Sequence, residues 1–147
     1  GRGVMSTAIT LDAVTVNAPD ALALAGFYAE ITGGTARGDA RFATVRTPGT
    51  EIGFQQVGGF RPPSWPSGGP PMQILLDFLV DDLTAAEPRV LAAGATRYAA
   101  QPNADRCLVY ADPVGHPFCL TLWDGGRALA EADGSDASST GVGPARQ

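Results

Sequence analysis

The chain of 147 residues contains no lysine and a single histidine, His116. Without lysine there is no Schiff-base or pyridoxal chemistry and no phosphate-loop lysine. The two cysteines, Cys107 and Cys119, cannot complete a four-ligand structural zinc site with that histidine unless carboxylates join them. No apolar stretch approaches the roughly 18 to 20 residues of a membrane span. Positive charge is sparse as well. Fifteen acidic residues against ten arginines give a net charge of -5 and a pI near 4.6. The arginines at 37, 41, 46, 61, 89, 97 and 106 form no run. Nucleic acid and anionic membrane are therefore not expected partners, because both require basic patches. Residues 1–7 lack the apolar region of a signal peptide. Residues 1–4 precede Met5 and read as an expression scar or an upstream start. The expectation is a cytoplasmic protein whose two cysteines are free thiols.

What is present suits one globular domain. The chain is 44% hydrophobic, and its length favours a single domain. Residues 126–147 carry Leu129 and Val142 as their only large aliphatic residues, so they read as a flexible tail, with one helical turn at 127–132. Residues 58–71 (GGFRPPSWPSGGPP) hold five prolines and four glycines, which excludes helix and interior strand. This linker carries Phe60 and Trp65 and is expected to pack over something.

The segments on either side repeat one order of signals. Residues 11–17 (LDAVTVN) alternate and are β-branched, which predicts a strand. Asp20 is placed to cap a helix whose Leu24, Phe27, Tyr28 and Ile31 share one face, and Gly33-Gly34 ends it. Strands are predicted over 35–38, 41–47 and 51–57, with a turn at Pro48-Gly49. After the linker, 72–80 (MQILLDFLV) reads as a strand. The next helix opens at Asp81-Asp82, or at Thr84 with Glu87 as a capping box. It contains Pro88 near its first turn, continues its apolar face through Val90 and Leu91, and closes at Gly94. Strands follow near 96–99, 106–111 and 118–123, the last two joined by the turn Asp112-Pro113-Val114-Gly115. The fold class is α+β: two βαβββ modules, spaced by about 60 residues, forming paired curved mixed sheets around a central cleft where a ligand would sit.

These residues carry a resemblance. LDAVTVNAPDALALAGFYAEITGG, LLDFLVDDLTAAEPRVLAAGAT, FQQVGGFRPPSWP at 54–66 and above all DPVGHPFCL at 112–120 resemble the vicinal oxygen chelate superfamily, in its glyoxalase-like, bleomycin-resistance-like bacterial branch. The resemblance covers 11–123. It implies one domain over 9–125, with modules 9–57 and 72–125, behind an N-terminal extension at 1–8. Metal-dependent members hold an ion with four cleft ligands, usually two histidines and two glutamates. The resemblance places those positions on Ala13, on Gln55 (or Gln56 if the register slips), on Leu75 and on Cys119. Alanine and leucine cannot coordinate, and a glutamine with a cysteine does not supply enough matched donors. The expectation is that the metal site is gone and that no cofactor is bound.

The remaining candidates each carry two readings. His116 is a general base or a turn residue between Pro113 and Pro117. Cys119 is a nucleophile or a small lining residue. Cys107 and Cys119 straddle one hairpin and could face each other. Asp77, two residues past Leu75 on one strand face, is a buried acid–base group or a hydrogen-bond anchor. Asp81 and Asp82 read as caps. Trp65 and Phe60 are an aromatic lid for a planar ligand or a plug for the cleft. Trp123 reads as core or interface.

With the ligands replaced, the cleft becomes a mostly apolar pocket lined by Ala13, Phe54, Gln55, Phe60, Trp65, Leu75, Asp77, Tyr110 and Cys119. Such a pocket suits a hydrophobic or aromatic small molecule. The function expected is metal-free binding of such a molecule, with antibiotic sequestration and resistance as its physiological form. The alternatives are a lyase, isomerase or cyclase moving a proton with Asp77 or His116, a metal enzyme with shifted ligands, and a structural or regulatory domain acting through its dimer surface. A homodimer is implied by the resemblance, and exposed sheet edges are compatible with it.

Overall fold

Asp20 turns the chain from strand to helix. Its backbone is extended, and its Oδ1 accepts a hydrogen bond from the Ala23 amide at 3.0 Å, as an N-cap requires. Helix α1 (Ala21–Thr32) follows and stops at Gly33, whose φ of 75° is left-handed and strained for any residue with a Cβ. Leu24, Phe27 and Tyr28 form its buried stripe, and Ile31 is half-buried. The computed structural model in which these features stand describes residues 7–123. The extension read at 1–8 falls mostly outside those residues. The tail at 126–147, with its turn at 127–132, lies wholly outside them.

The chain divides into two units, Gly1–Gly58 and Gly59–Gln147. In the first, β1 (Val14–Ala18), β2 (Thr35–Gly38), β3 (Phe42–Thr47) and β4 (Thr50–Gln56) form one sheet in the order β1-β4-β3-β2. β1 runs parallel to β4 and the other pairs are antiparallel. The α1 face of this sheet carries Ala43, Val45, Ile52 and Phe54, all buried, and the Phe54 ring stacks on Tyr28 with centroids 5.6 Å apart. The first strand is shorter than the pattern at 11–17 predicts. Its parallel partner β4 begins at Thr50, and Val14 pairs with Ile52, so Leu11 lies beyond the ladder and is 84% exposed.

The second unit repeats the plan. β5 (Leu76–Leu79), helix α2 (Leu83–Ala93), β6 (Thr96–Arg97), β7 (Cys107–Ala111) and β8 (Pro117–Thr121) build a sheet in the order β5-β8-β7-β6. Asp82 caps α2 by accepting from the Thr84 and Ala85 amides, so the reading with Thr84 as cap is corrected. Pro88 consequently sits in the second turn, where it offers no N–H to the Thr84 carbonyl. Val90 is buried, while Leu91 is 40% exposed.

Three predicted strands prove shorter, each for a local reason. Residues 72–75 leave the ladder: Met72 and Leu75 pack instead against the cluster of Trp65, Cys107, Val109 and Cys119. The strand at 96–99 ends at Arg97 because the Gln101 side chain takes over its role. Gln101 Nε2 donates to the Tyr98 and Val109 carbonyls, and its Oε1 accepts from the Val109 amide. The last strand ends at Thr121, whose hydroxyl accepts from the Trp123 amide at 2.9 Å. All of the linker after Gly58 belongs to this second unit. Pro62 lies so close to Gly115 in the Asp112–Gly115 turn that a Cβ there would stand 2.6 Å from it. The protein is thus α+β, with two similar four-stranded mixed sheets and one helix to each.

Candidate functional site

Each sheet has one face turned to its helix and one turned away. Alternation along the strands assigns residues to these faces. On the first sheet, Phe54 faces α1, so its neighbours Gly53 and Gln55 lie on the other side. The pairing places Thr15, Gly53, Thr44 and Arg37 in one row across that side, and Asn17, Gln55 and Phe42 in the next.

This face joins an aromatic surface to amides. Phe42, the first residue of the inner strand β3, is 52% exposed. A Cβ on Gly53 would stand 3.7 Å from the Phe42 ring tip, an ordinary contact, and 2.8 Å from the Thr15 hydroxyl, so the missing side chain makes room for that hydroxyl. Beside the ring, Gln55 Nε2 donates to Asn17 Oδ1 at 2.8 Å. Both residues are exposed. Asp39 accepts from the amides of Arg41 and Phe42, and these two bonds hold its carboxyl below the usual carboxylate range.

The equivalent face of the second sheet is already covered. Matching the two ladders sets Asp77, Cys119, Val109 and Tyr98 against Thr15, Gly53, Thr44 and Arg37. Cys107, Val109 and Cys119 are buried there beneath Trp65, itself only 9% exposed. Met72, Leu75, Tyr98, Ala100 and Trp123 pack against this cluster. The indole meets Tyr98 edge to face, with centroids 4.9 Å apart. Burial, then the charge of Asp112, pushes the Tyr98 phenol above its ordinary value.

The residues singled out in the sequence therefore divide. Trp65, Leu75 and Cys119 come together in one cluster, in which Trp65 is the plug rather than an exposed lid. Phe54 and Tyr110 do not line an open face: each faces its own helix and is fully buried. Tyr110 stacks on Phe118 at 5.5 Å and its hydroxyl donates to Glu87 Oε2 at 2.9 Å. Gln55 lies on the open face of the first sheet, Gln56 on the other, its amide donating to the Pro19 carbonyl. Ala13 is half-buried just ahead of β1. Asp77 is exposed and pairs across the ladder with Cys119, which overturns its reading as a buried acid–base group. Phe60 packs its ring 5.2 Å from the His116 imidazole. The His116 amide donates to Asp112 Oδ1, as do those of Val114 and Gly115, so the histidine is part of that turn. Cys107 pairs with Thr121 and Cys119 with Val109, so the two free thiols are diagonal neighbours and do not face each other. Asp82 caps α2 by accepting through its side chain, and Asp81 lies one residue ahead of that cap.

Reading the sequence missed Thr15, Asn17, Arg37, Phe42, Thr44 and Gly53. The signal was available for three of them: Thr15 and Asn17 follow Ala13 at steps of two, and Gly53 precedes Gln55 by two. Thr44 then follows Phe42 by the same step, but Phe42 itself needed the register. The four positions that the resemblance assigns to metal ligands do not fit one here. Ala13 and Leu75 have no donor atom, and Cys119 is sealed under Trp65. Among the described residues, no three His, Cys, Asp or Glu side chains are gathered as a metal site.

A groove of about 780 Å³ lies on the α2 side of the second unit, lined in part by Asp81, Glu87, Leu91, Arg97 and Leu108. Its polar groups serve one another: Arg97 pairs with Glu87 at 2.8 Å, and Glu87 accepts from Tyr110.

Residues 13–121 match the glyoxalase-like domain family. The chain belongs to this family. Solved structures agree on the vicinal oxygen chelate fold. A glyoxalase/bleomycin resistance/dioxygenase family enzyme from Burkholderia phytofirmans PsJN is 23% identical with a TM-score of 0.59, over 74% of this chain and 94% of its own. The fosfomycin resistance protein FosX of Mesorhizobium loti is 13% identical with a TM-score of 0.60, over 86% and 99%. TioX from Micromonospora sp. ML1 is 20% identical with a TM-score of 0.54, over 76% and 97%. No curated protein matches. Among the described residues, this glyoxalase-like protein has no helix long and apolar enough to cross a membrane.

Proposed function

We propose that this glyoxalase-like protein binds a small aromatic molecule on the open face of its first sheet, and that it does so without metal chemistry. The observation that carries the reading is Phe42, an aromatic ring lying over Gly53, half exposed, beside the Gln55–Asn17 amide pair. An apolar surface with a few placed polar groups is the usual composition of a small-molecule site. Burying one exposed aromatic face against a planar ligand removes enough apolar area to be the main source of affinity. The donor set at the family's metal positions supports the metal-free part. Sequestration of an aromatic antibiotic in the cytoplasm is the physiological form we favour, since binding alone needs no further group.

The test is equilibrium dialysis of the protein against a panel of aromatic antibiotics, followed by recovery of the compound. The reading expects one member to bind, to be recovered unchanged, and to bind at least about tenfold more weakly to Phe42→Ala, a loss of about 1.4 kcal/mol. Equal binding to Phe42→Ala removes the proposed surface. Recovery of an altered compound replaces sequestration with catalysis.

A further inference from the structure

We infer that the ligand of the first-sheet face is a planar aromatic anion, an arene carrying a carboxylate or an equivalent acidic group, and that Arg37 reads the charge. This rests on the proposed binding face and adds the chemical class.

Two independent observations lead there. The first is the comparison of the two modules. On the second sheet, the face equivalent to that of Phe42 and Gly53 is covered by the indole of Trp65, which lies against Cys107, Val109 and Cys119 with its edge met by Tyr98. The protein thus shows, on its own second sheet, which shape this kind of face accepts: one flat ring system, seated on small residues and flanked by the side chain from the β6 edge. On the first sheet Phe42 is left 52% exposed.

The second observation is charge. At the position where the second sheet has Tyr98, the first has Arg37, one strand out from Thr44. Among the described residues Arg37 makes no ion pair and no side-chain hydrogen bond, whereas Arg46 has Glu51 at 3.8 Å and Arg97 has Glu87. A guanidinium beside an aromatic surface offers a fork of donors matched to a planar carboxylate. The hydroxyls of Thr15 and Thr44 stand in the same row and can donate to the same group. Asp39 follows Arg37 by two residues on the same edge, with its carboxylate taken up by the amides of Phe42 and Arg41. The acidic group lies toward Arg37 and Thr44, with the ring over Phe42 and its far edge at the Gln55–Asn17 amides.

The experiment measures 2-naphthoate and its neutral isostere 2-naphthamide against the wild-type chain, Arg37→Gln, Arg37→Lys and Arg46→Gln, by the fluorescence of the naphthyl group. The expected result is naphthoate binding about tenfold tighter than naphthamide to wild type. That preference falls to about one in Arg37→Gln, is partly kept in Arg37→Lys, and is unchanged in Arg46→Gln. Naphthamide affinity stays the same in all four. Arg37 is exposed on an edge strand, and matching far-UV circular dichroism confirms the fold of each variant. Equal binding of the two probes to wild type overturns the anion assignment and leaves the binding face standing. A preference that survives Arg37→Gln overturns the role of Arg37. Binding of neither probe overturns the face and the inference together.

Discussion

Trp65 and Tyr98 meet edge to face, with ring centroids 4.9 Å apart and planes at 64°. Through this contact a proline-rich segment without regular structure closes one face of the second sheet. Truncation of Trp65 leaves a hole above Cys107, Val109 and Cys119 that the rigid Pro62–Pro63 stretch cannot collapse into. Trp65→Ala is expected to destabilise the chain by about 3–5 kcal/mol, and Trp65→Phe by less, in urea denaturation. A loss below about 1 kcal/mol for the alanine variant means that the indole is not the plug described.

The thiols beneath that ring are 1% and 0% exposed. A disulfide reagent is expected to label neither Cys107 nor Cys119 within minutes in the native protein, and both once urea unfolds it. Because thiolate attack needs access, Trp65→Ala is expected to admit the reagent to Cys119 first. Fast labelling of the wild-type chain contradicts the sealed cluster.

Alkaline stability should report on two tyrosines. Burial foremost, then the hydrogen bond and charge of Glu87, raise the Tyr110 phenol above its ordinary 10.0, and burial raises Tyr98. Above pH 10.0 the unfolded chain loses these protons before the folded chain does. The folded state then holds more protons, so stability is fully present below that pH and falls as pH rises through the folded values. Urea midpoints followed from about pH 8 to about pH 11 are expected to decline less steeply in Tyr110→Phe and in Tyr98→Phe than in wild type. At neutral pH, Tyr110→Phe should cost about 1 kcal/mol, because Glu87 keeps Arg97 as partner. An unchanged alkaline slope in both variants contradicts the shifts.

Much of this was legible from the residues. Asp20, Gly33 and Gly94 marked the helix ends because capping chemistry is local, and the repeated βαβββ order followed from two periods in alternation. Strand lengths were less legible, since Leu11 and Met72 continue the apolar pattern past the point where a partner strand is available. The site was the least legible part. Phe54 and Gln55 are consecutive, so one strand cannot aim both at the same face, and their joint assignment to one pocket was already in conflict with alternation. Tyr110 was misplaced for the opposite reason: its face depends on the register with Phe118, which no local signal states. Whether Trp65 formed a lid or a plug rested on contacts across some 50 residues of chain, with Cys119 among them.

Phe42 is expected to tolerate truncation in the fold better than in binding. Its ring is half exposed, so Phe42→Ala should cost under about 2 kcal/mol in urea denaturation. A larger loss means that the ring is core, with no free face to offer.

The central claim is that ligand binds over Phe42 and not at Trp65. The most direct measurement is a two-dimensional ¹H–¹⁵N correlation spectrum recorded as 2-naphthoate is added. The account predicts shifts at the Gly53 amide and at the side-chain amides of Gln55 and Asn17, with the Trp65 indole N–H unmoved. Shifts confined to Trp65 and its neighbours, with Gly53 and Gln55 silent, would contradict it.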